Sequence, residues 1–295
     1  MDNKLNNYQA IVNRLRNSPY LDYPAHIHIE TIALCPAACN FCPYPTLDRK
    51  GEKMSDKLIE KILNDLALIP ATLNFQISPF KVNEPFLDNR LFDIIRSIND
   101  NLPNAKIALT SNSVPITEKK LQELITLKNI AYLWLSVNEY RPVEYEKIMQ
   151  LPWENTKNRL DMIHQYKASR EIPFDIVLSR VGDKTEADND FSGWVKTTYP
   201  YFRCEIFQRG GWIGQVDIGS DFKVPDIGCI RWFDISITAT GVVAHCCMDG
   251  KAEWPIGDVN TESVLEIYNK PAYKKLREST ISRKDAVPCN QCSFL

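Results

Sequence analysis

Three cysteines within eight residues, in the run Cys35-Pro-Ala-Ala-Cys39-Asn-Phe41-Cys42, constrain this chain more than any other feature. The spacing is C-x3-C-x2-C, and it follows a strand-like stretch, His26-Ile-His-Ile-Glu-Thr-Ile32. Three thiolates on one tight loop can hold three corners of an iron–sulfur cube. The fourth iron then has no protein ligand and stays open for chemistry. A structural zinc knot needs four ligands. No fourth stands close to the triplet, and His26 and His28 precede it on the strand.

Eight of the nine cysteines fall into two groups, at 35–42 and at 229–292, and Cys204 stands alone. Such grouping reads as metal or cluster ligation rather than a disulfide framework. The start, Met1 to Asn17, is polar and lacks the apolar core of a signal peptide. No stretch approaches the length of a membrane span. A cytoplasmic protein is expected, where disulfides are rare. The net charge of -2 provides no basic field for nucleic acid or an anionic membrane surface.

Strand-like segments at 27–34, 73–78, 105–111, 130–137, 172–180 and 201–208 alternate with helix-like segments at 55–68, 87–100, 117–127, 154–169 and 186–197. Ser55 and Thr117 are candidate N-caps. This order predicts an α/β fold with a parallel sheet and right-handed crossovers. A sheet covered on both faces reads as continuous apolar runs. These strands alternate instead: Tyr132, Trp134, Ser136 and Asn138 oppose Ala131, Leu133, Leu135 and Val137. His26, His28 and Glu30 likewise share one face, as do Arg203, Glu205 and Arg209. A closed or partly closed barrel with a polar lumen accounts for the alternation. The expected architecture is a partial (β/α)6 TIM-like barrel over 25–215. An N-terminal extension over 1–24 precedes it. A small C-terminal domain over 216–295, a β-hairpin plus helix, follows.

The triplet after a first strand, with Phe41 just before its last cysteine, resembles the radical S-adenosylmethionine (SAM) superfamily. The family's Gly-Gly-Glu-Pro segment after the second strand is matched by Val82-Asn83-Glu84-Pro85, without the paired glycines. Its Thr-Asn-Gly-like segment is matched by Thr110-Ser111-Asn112-Ser113. Ser136 and Arg180 resemble its ribose and carboxylate contacts. The resemblance implies a SAM-binding [4Fe–4S] cluster on Cys35, Cys39 and Cys42. It implies SAM contacts at Phe41, Asn83, Glu84, Pro85, Thr110, Asn112, Ser136 and Arg180. The site is expected at the C-terminal ends of the strands.

In the tail, Gly241 and Cys246 form G-x4-C, Cys229 lies upstream, and Cys289 and Cys292 form C-x2-C. Four thiolates can close a complete [4Fe–4S] site, and a zinc ribbon has the same ligand count. The tail resembles the twitch or shortened SPASM extension of radical SAM enzymes, which implies an auxiliary [4Fe–4S] cluster on Cys229, Cys246, Cys289 and Cys292. Adjacent strand residues point to opposite faces, so Cys247 is a spare thiol. It is a small buried hydrophobe or a hydrogen-atom donor, as in radical SAM epimerases. Glu30 and Arg209 either act on substrate or form a fixed ion pair in the lumen. His245 could tune the neighbouring cluster.

The implied activity is formation of a 5′-deoxyadenosyl radical that takes a hydrogen atom from a polar small molecule, such as a sugar, aminocyclitol or amino acid. The outcome expected is dehydrogenation or epimerisation, so an oxidoreductase or an epimerase. The tail resembles that of an aminocyclitol dehydrogenase, in which the auxiliary cluster receives the second electron. The partners implied are that substrate and an electron donor such as flavodoxin or ferredoxin. A peptide-modifying enzyme is the alternative, although residues 1–24 are short for a peptide-binding domain. A non-catalytic zinc protein is the remote one.

Overall fold

The computed structural model describes residues 3–219 and 223–294. It contains helix α1 (Asn3–Arg16), then β1 (His26–Ile29), α2 (Asp56–Leu66), β2 (Phe75–Ser78), α3 (Leu91–Asn101), β3 (Ala105–Ser111), α4 (Glu118–Leu124) and β4 (Ile130–Ser136). There follow α5 (Pro142–Met149), α6 (Trp153–Ser169), β5 (Asp175–Gly182), α7 (Glu186–Thr198) and β6 (Arg203–Gln208). The C-terminal part holds β7 (Asp234–Ile237), β8 (Val242–Ala244), β9 (Pro255–Asp258), α8 (Val264–Tyr268) and α9 (Pro271–Glu278). Among the described residues no helix is long and apolar enough to cross a membrane.

All strands join one sheet, in the order β6-β5-β4-β3-β2-β1-β7-β8-β9. β1 to β6 are parallel, and the sheet does not close, so the barrel is partial. β7 also lies parallel to β1, with His26 opposite Asp234 and His28 opposite Ser236. The expected C-terminal hairpin is therefore present as β7–β8, but it extends the barrel sheet.

The alternation read from the sequence sorts the two faces. Ile27, Ile77, Ile107, Leu109, Leu133 and Leu135 are fully buried under the helices. Helix α2 shows why the helices settle there. Ser55 accepts a hydrogen bond from the Leu58 N–H, and Leu58, Ile59, Ile62, Leu63 and Leu66 form one apolar stripe. Truncating a residue such as Ile62 to alanine would cost about 2–5 kcal/mol. Thr117 caps α4 in the same way.

Two helices before the C-terminal part were not legible as elements. α1 shows apolar residues at Tyr8, Val12 and Leu15, an i, i+4, i+7 stripe in a polar segment. That stripe packs with Trp232, Phe233 and Cys289 into a second core. Arg16 adds hydrogen bonds to the carbonyls of Arg277 and Thr280. The segment expected as an extension is thus built into the C-terminal part. α5 is only eight residues long, too short for periodicity to define.

Candidate active site

The three cysteines of the triplet sit on the loop beyond the C-terminal end of β1, as the resemblance implies. The Cys42 N–H donates to the Cys39 carbonyl at 3.1 Å, which closes the C-x2-C turn. All three side chains line one cavity of about 310 Å³, together with Asn83, Glu84 and Asn112. Burial pushes the Cys35 thiol up to about 12 and Cys42 up to about 11. Cys39 is raised too, by burial and then by its neighbours Cys42 and Cys35. Three convergent thiols that resist ionising alone are what a cationic iron cluster would deprotonate and hold.

Glu84 anchors the cavity's other wall. Its N–H donates to the Leu34 carbonyl at 2.7 Å, tying its loop to the cysteine loop. Its carboxylate accepts from Ser111 Oγ at 2.9 Å, from the Asn112 N–H at 2.7 Å and from the Phe86 N–H at 3.2 Å. Burial outweighs these bonds and raises its pKa to about 7. A fully buried carboxylate with no ion pair among the described residues calls for a cationic partner. Asn83 adds a buried Nδ2 with no partner among the described residues. An ammonium group at Glu84 and an acceptor at Asn83 are what the amino acid end of SAM offers.

Phe41, Thr110 and Ser136 also line the cavity. Pro85 is buried and opens a short 3-10 turn away from the lining. Arg180 differs from expectation. It is buried, donates to the Asn138 carbonyl at 2.6 Å, and pairs with Asp188 at 2.8 Å and Glu139 at 3.4 Å. With its donors engaged in that network it does not line the cavity.

Glu30 and Arg209 are not brought together. Glu30 is completely buried and pairs with Arg49, Nε to Oε2 at 2.6 Å and Nη2 to Oε1 at 3.0 Å. It also accepts from the Ala239 N–H at 3.0 Å. A carboxylate so saturated holds β1, the cysteine loop and the β7–β8 turn together, and has no room for substrate. Arg209 donates to the Asn40 carbonyl at 3.0 Å and is half-buried.

Lys81 and Arg231 were missed, and both line the cavity. Lys81 is buried, and its ammonium donates to the Asp249 carbonyl at 2.6 Å. Burial lowers its pKa. Arg231 pairs with Asp234 at 3.0 Å and keeps a buried Nε without a partner among the described residues. Lys81 could have been noticed, since it stands two residues before Asn83 on the loop after β2. Arg231 carried no such signal.

The walls are otherwise mostly apolar, with Tyr44, Phe80, Phe207, Trp212, Met248 and Phe294. The open polar lumen expected from strand parity is therefore only partly present. Its polar residues nearest β1 and β7 form a separate cluster of His26, His28 and Asp234.

The four tail cysteines are all buried and line one small void. The Cys292 N–H donates to the Cys289 carbonyl at 3.0 Å, the same turn as in the first triplet. Trp232 Nε1 donates to Cys289 Sγ at 3.3 Å, His245 Nε2 lies 3.2 Å from the same sulfur, and the Tyr8 hydroxyl lies 3.6 Å from Cys229 Sγ. Ring and hydroxyl groups arranged around ligand sulfurs tune a cluster. Cys246 belongs to this set, as the glycine spacing predicts.

Cys247 does not. It is half-buried and lies against His28. Burial, which raises a thiol, is outweighed there by Arg231 and His28, so its pKa is lowered. Arg231, Met248 and Phe294 line both the main cavity and the tail void, so the two cysteine sets share a wall.

A triplet open at one corner, a buried carboxylate awaiting an ammonium group and a closed four-thiolate site together define a SAM-dependent iron–sulfur enzyme. The chain matches the family model described as "Radical SAM superfamily" over residues 29–196, more than half its length. It matches the model described as "Iron-sulfur cluster-binding domain", SPASM, over 229–293. The chain belongs to the radical SAM superfamily and carries a C-terminal SPASM domain. Its cofactors are SAM, the SAM-binding [4Fe–4S] cluster and auxiliary iron–sulfur ligation.

Comparison with curated proteins finds no match. Solved structures share the fold. BtrN in complex with AdoMet and 2-DOIA matches with a TM-score of 0.61 at 16% identity, covering 92% of this chain and 93% of that one. Streptococcus suis SuiB bound to precursor peptide SuiA matches with a TM-score of 0.67 at 13% identity, covering 98% and 74%. Native anSMEcpe with bound AdoMet matches with a TM-score of 0.57 at 14% identity, covering 89% and 84%.

Proposed function

We propose that this enzyme dehydrogenates a hydroxyl-bearing small molecule. When bound, SAM and the two clusters supply a 5′-deoxyadenosyl radical that removes a hydrogen atom from carbon and an acceptor for the electron left behind. Glu84 would hold the SAM ammonium group, and Asn83 and Asn112 would fix its neighbouring polar atoms. Phe41 and Ser136 would flank the nucleoside. Lys81 Nζ, which lines the cavity, would donate a hydrogen bond to the substrate hydroxyl oxygen, whose proton would pass to solvent as the carbonyl forms. Trp212 and Phe294 would keep water from the radical.

The observation that carries this reading is the shared wall of Arg231, Met248 and Phe294 between the SAM cavity and the tail cysteines. It gives the second electron a short way out. Epimerisation needs a thiol at the cavity, and Cys247 does not line it. Among the described lining residues Glu84 is the one acid, against Lys81 and Arg231. That balance favours a substrate with hydroxyl or anionic groups over a cationic aminocyclitol.

The test is a screen of sugars, polyols, amino acids and peptides for faster 5′-deoxyadenosine release in D2O. A product two hydrogens lighter, with no solvent deuterium on carbon, supports the proposal. A product of unchanged mass except for one deuterium at carbon, lost in Cys247→Ala, overturns it in favour of epimerisation. A modified peptide overturns the substrate class.

A further inference from the structure

The polar cluster on the lumen face between β1 and β7 has no part in the chemistry above. It consists of His26 and His28 on β1 and Asp234 on β7, and one ligand atom from each lies within 4.8 Å of the others. We propose that these three side chains bind one divalent transition-metal ion, separate from both cysteine sets.

Distances favour an ion over hydrogen bonding. His28 Nε2 stands 3.7 Å from Asp234 Oδ2, too far for a hydrogen bond. Two ligands at about 2.1 Å around a tetrahedral ion stand about 3.4 Å apart. The pair is thus spaced as ligands are, not as donor and acceptor. His28 is 7% exposed, and neither of its ring nitrogens makes a hydrogen bond of ordinary length among the described residues, although the Asp234 carboxylate and the Cys247 thiol lie beside it. A buried imidazole whose neighbours stand beyond hydrogen-bond length is costly. Ser236, beside His28 in register on β7, is fully buried and its hydroxyl is idle as well.

The surrounding groups orient the ligands. Ser78 Oγ lies 2.8 Å from His26 Nε2, which fixes that ring and leaves its other nitrogen unclaimed. The outer partner of a metal-bound histidine acts in this way. Arg231 holds Asp234 Oδ2 at 3.0 Å, the same oxygen that faces His28. Two imidazoles and one carboxylate select zinc or ferrous iron over magnesium or calcium. The ion would join β1 of the barrel to β7 of the tail. It would thereby fix the seam across which the two cysteine sets face each other.

Arg231 is the rival, because it already neutralises Asp234. Metal analysis decides between them. Anaerobically reconstituted protein is exposed to zinc, washed with chelator and analysed for zinc and iron. The proposal predicts about one zinc per chain beside about eight irons. His28→Ala and the milder His26→Asn each lose the zinc and keep the iron. Three results overturn the proposal: no retained zinc in the wild type, zinc retained in both variants, or zinc gained as about four irons are lost. The last would place the zinc among the tail cysteines.

Discussion

Replacing Glu84 by glutamine removes one charge and little volume, so it isolates the ionic part of SAM recognition. The carboxylate is preset by three donors, from Ser111, Asn112 and Phe86. A charge-assisted hydrogen bond in such a place contributes about 1.5–3 kcal/mol. The Glu84→Gln enzyme should therefore bind SAM about 10- to 150-fold more weakly. The pH dependence carries a sign. Glu84 in the SAM-free protein titrates near 7, raised by burial from 4.5. SAM's ammonium needs the ionised form, so affinity should fall below pH 7, approaching tenfold per unit. In Glu84→Gln that slope should vanish. Stability of the SAM-free protein runs the other way. An acid whose folded pKa is raised stabilises the fold below its unfolded pKa, and that contribution is lost as pH rises through about 7. The amount is roughly 3 kcal/mol at this residue. Equilibrium dialysis of labelled SAM against reconstituted protein, without oxygen, measures the affinity and its pH slope. A variant within about threefold of wild type, or one that keeps the pH slope, would refute the reasoning.

Two further perturbations separate the parts of the molecule. Cys246→Ala should cost about four irons and leave 5′-deoxyadenosine formation in place, as iron analysis and product assay would report; loss of all iron would contradict two separate sites. Glu30→Ala strands the partly buried Arg49 guanidinium and should destabilise the fold by about 3–5 kcal/mol in urea unfolding. A loss under about 1 kcal/mol would mean that Arg49 finds water instead.

Much of the site was legible because ligand chemistry imposes spacing on neighbours in sequence. The cysteines of the C-x3-C-x2-C run, the Asn83–Glu84 segment and Asn112 line one cavity, and those of the C-x2-C pair line the tail void. Strand alternation likewise separated Ile107 and Leu109 from the lumen side. What failed were inferences about partners distant in sequence. Glu30 and Arg209 share a face by parity, but Arg49 of the cysteine loop reaches Glu30 first. Arg180 lies two residues before the end of β5, where a SAM contact was expected, and three nearby acids hold it instead. Helix α1 was hidden because its short apolar stripe serves a partner more than two hundred residues away, at Cys229. The parallel pairing of β7 with β1 is equally non-local, and it carries Arg231 and Asp234 to the barrel.

Reductive cleavage of SAM by the anaerobically purified chain tests the central claim most directly. With dithionite and SAM, protein bearing about eight irons should release methionine and 5′-deoxyadenosine, and replacing Cys35, Cys39 and Cys42 by alanine should stop that release while the tail keeps about four irons. Iron-loaded wild-type protein that leaves SAM intact, or a triple variant that still cleaves it, would contradict the assignment of the open cluster to these three cysteines.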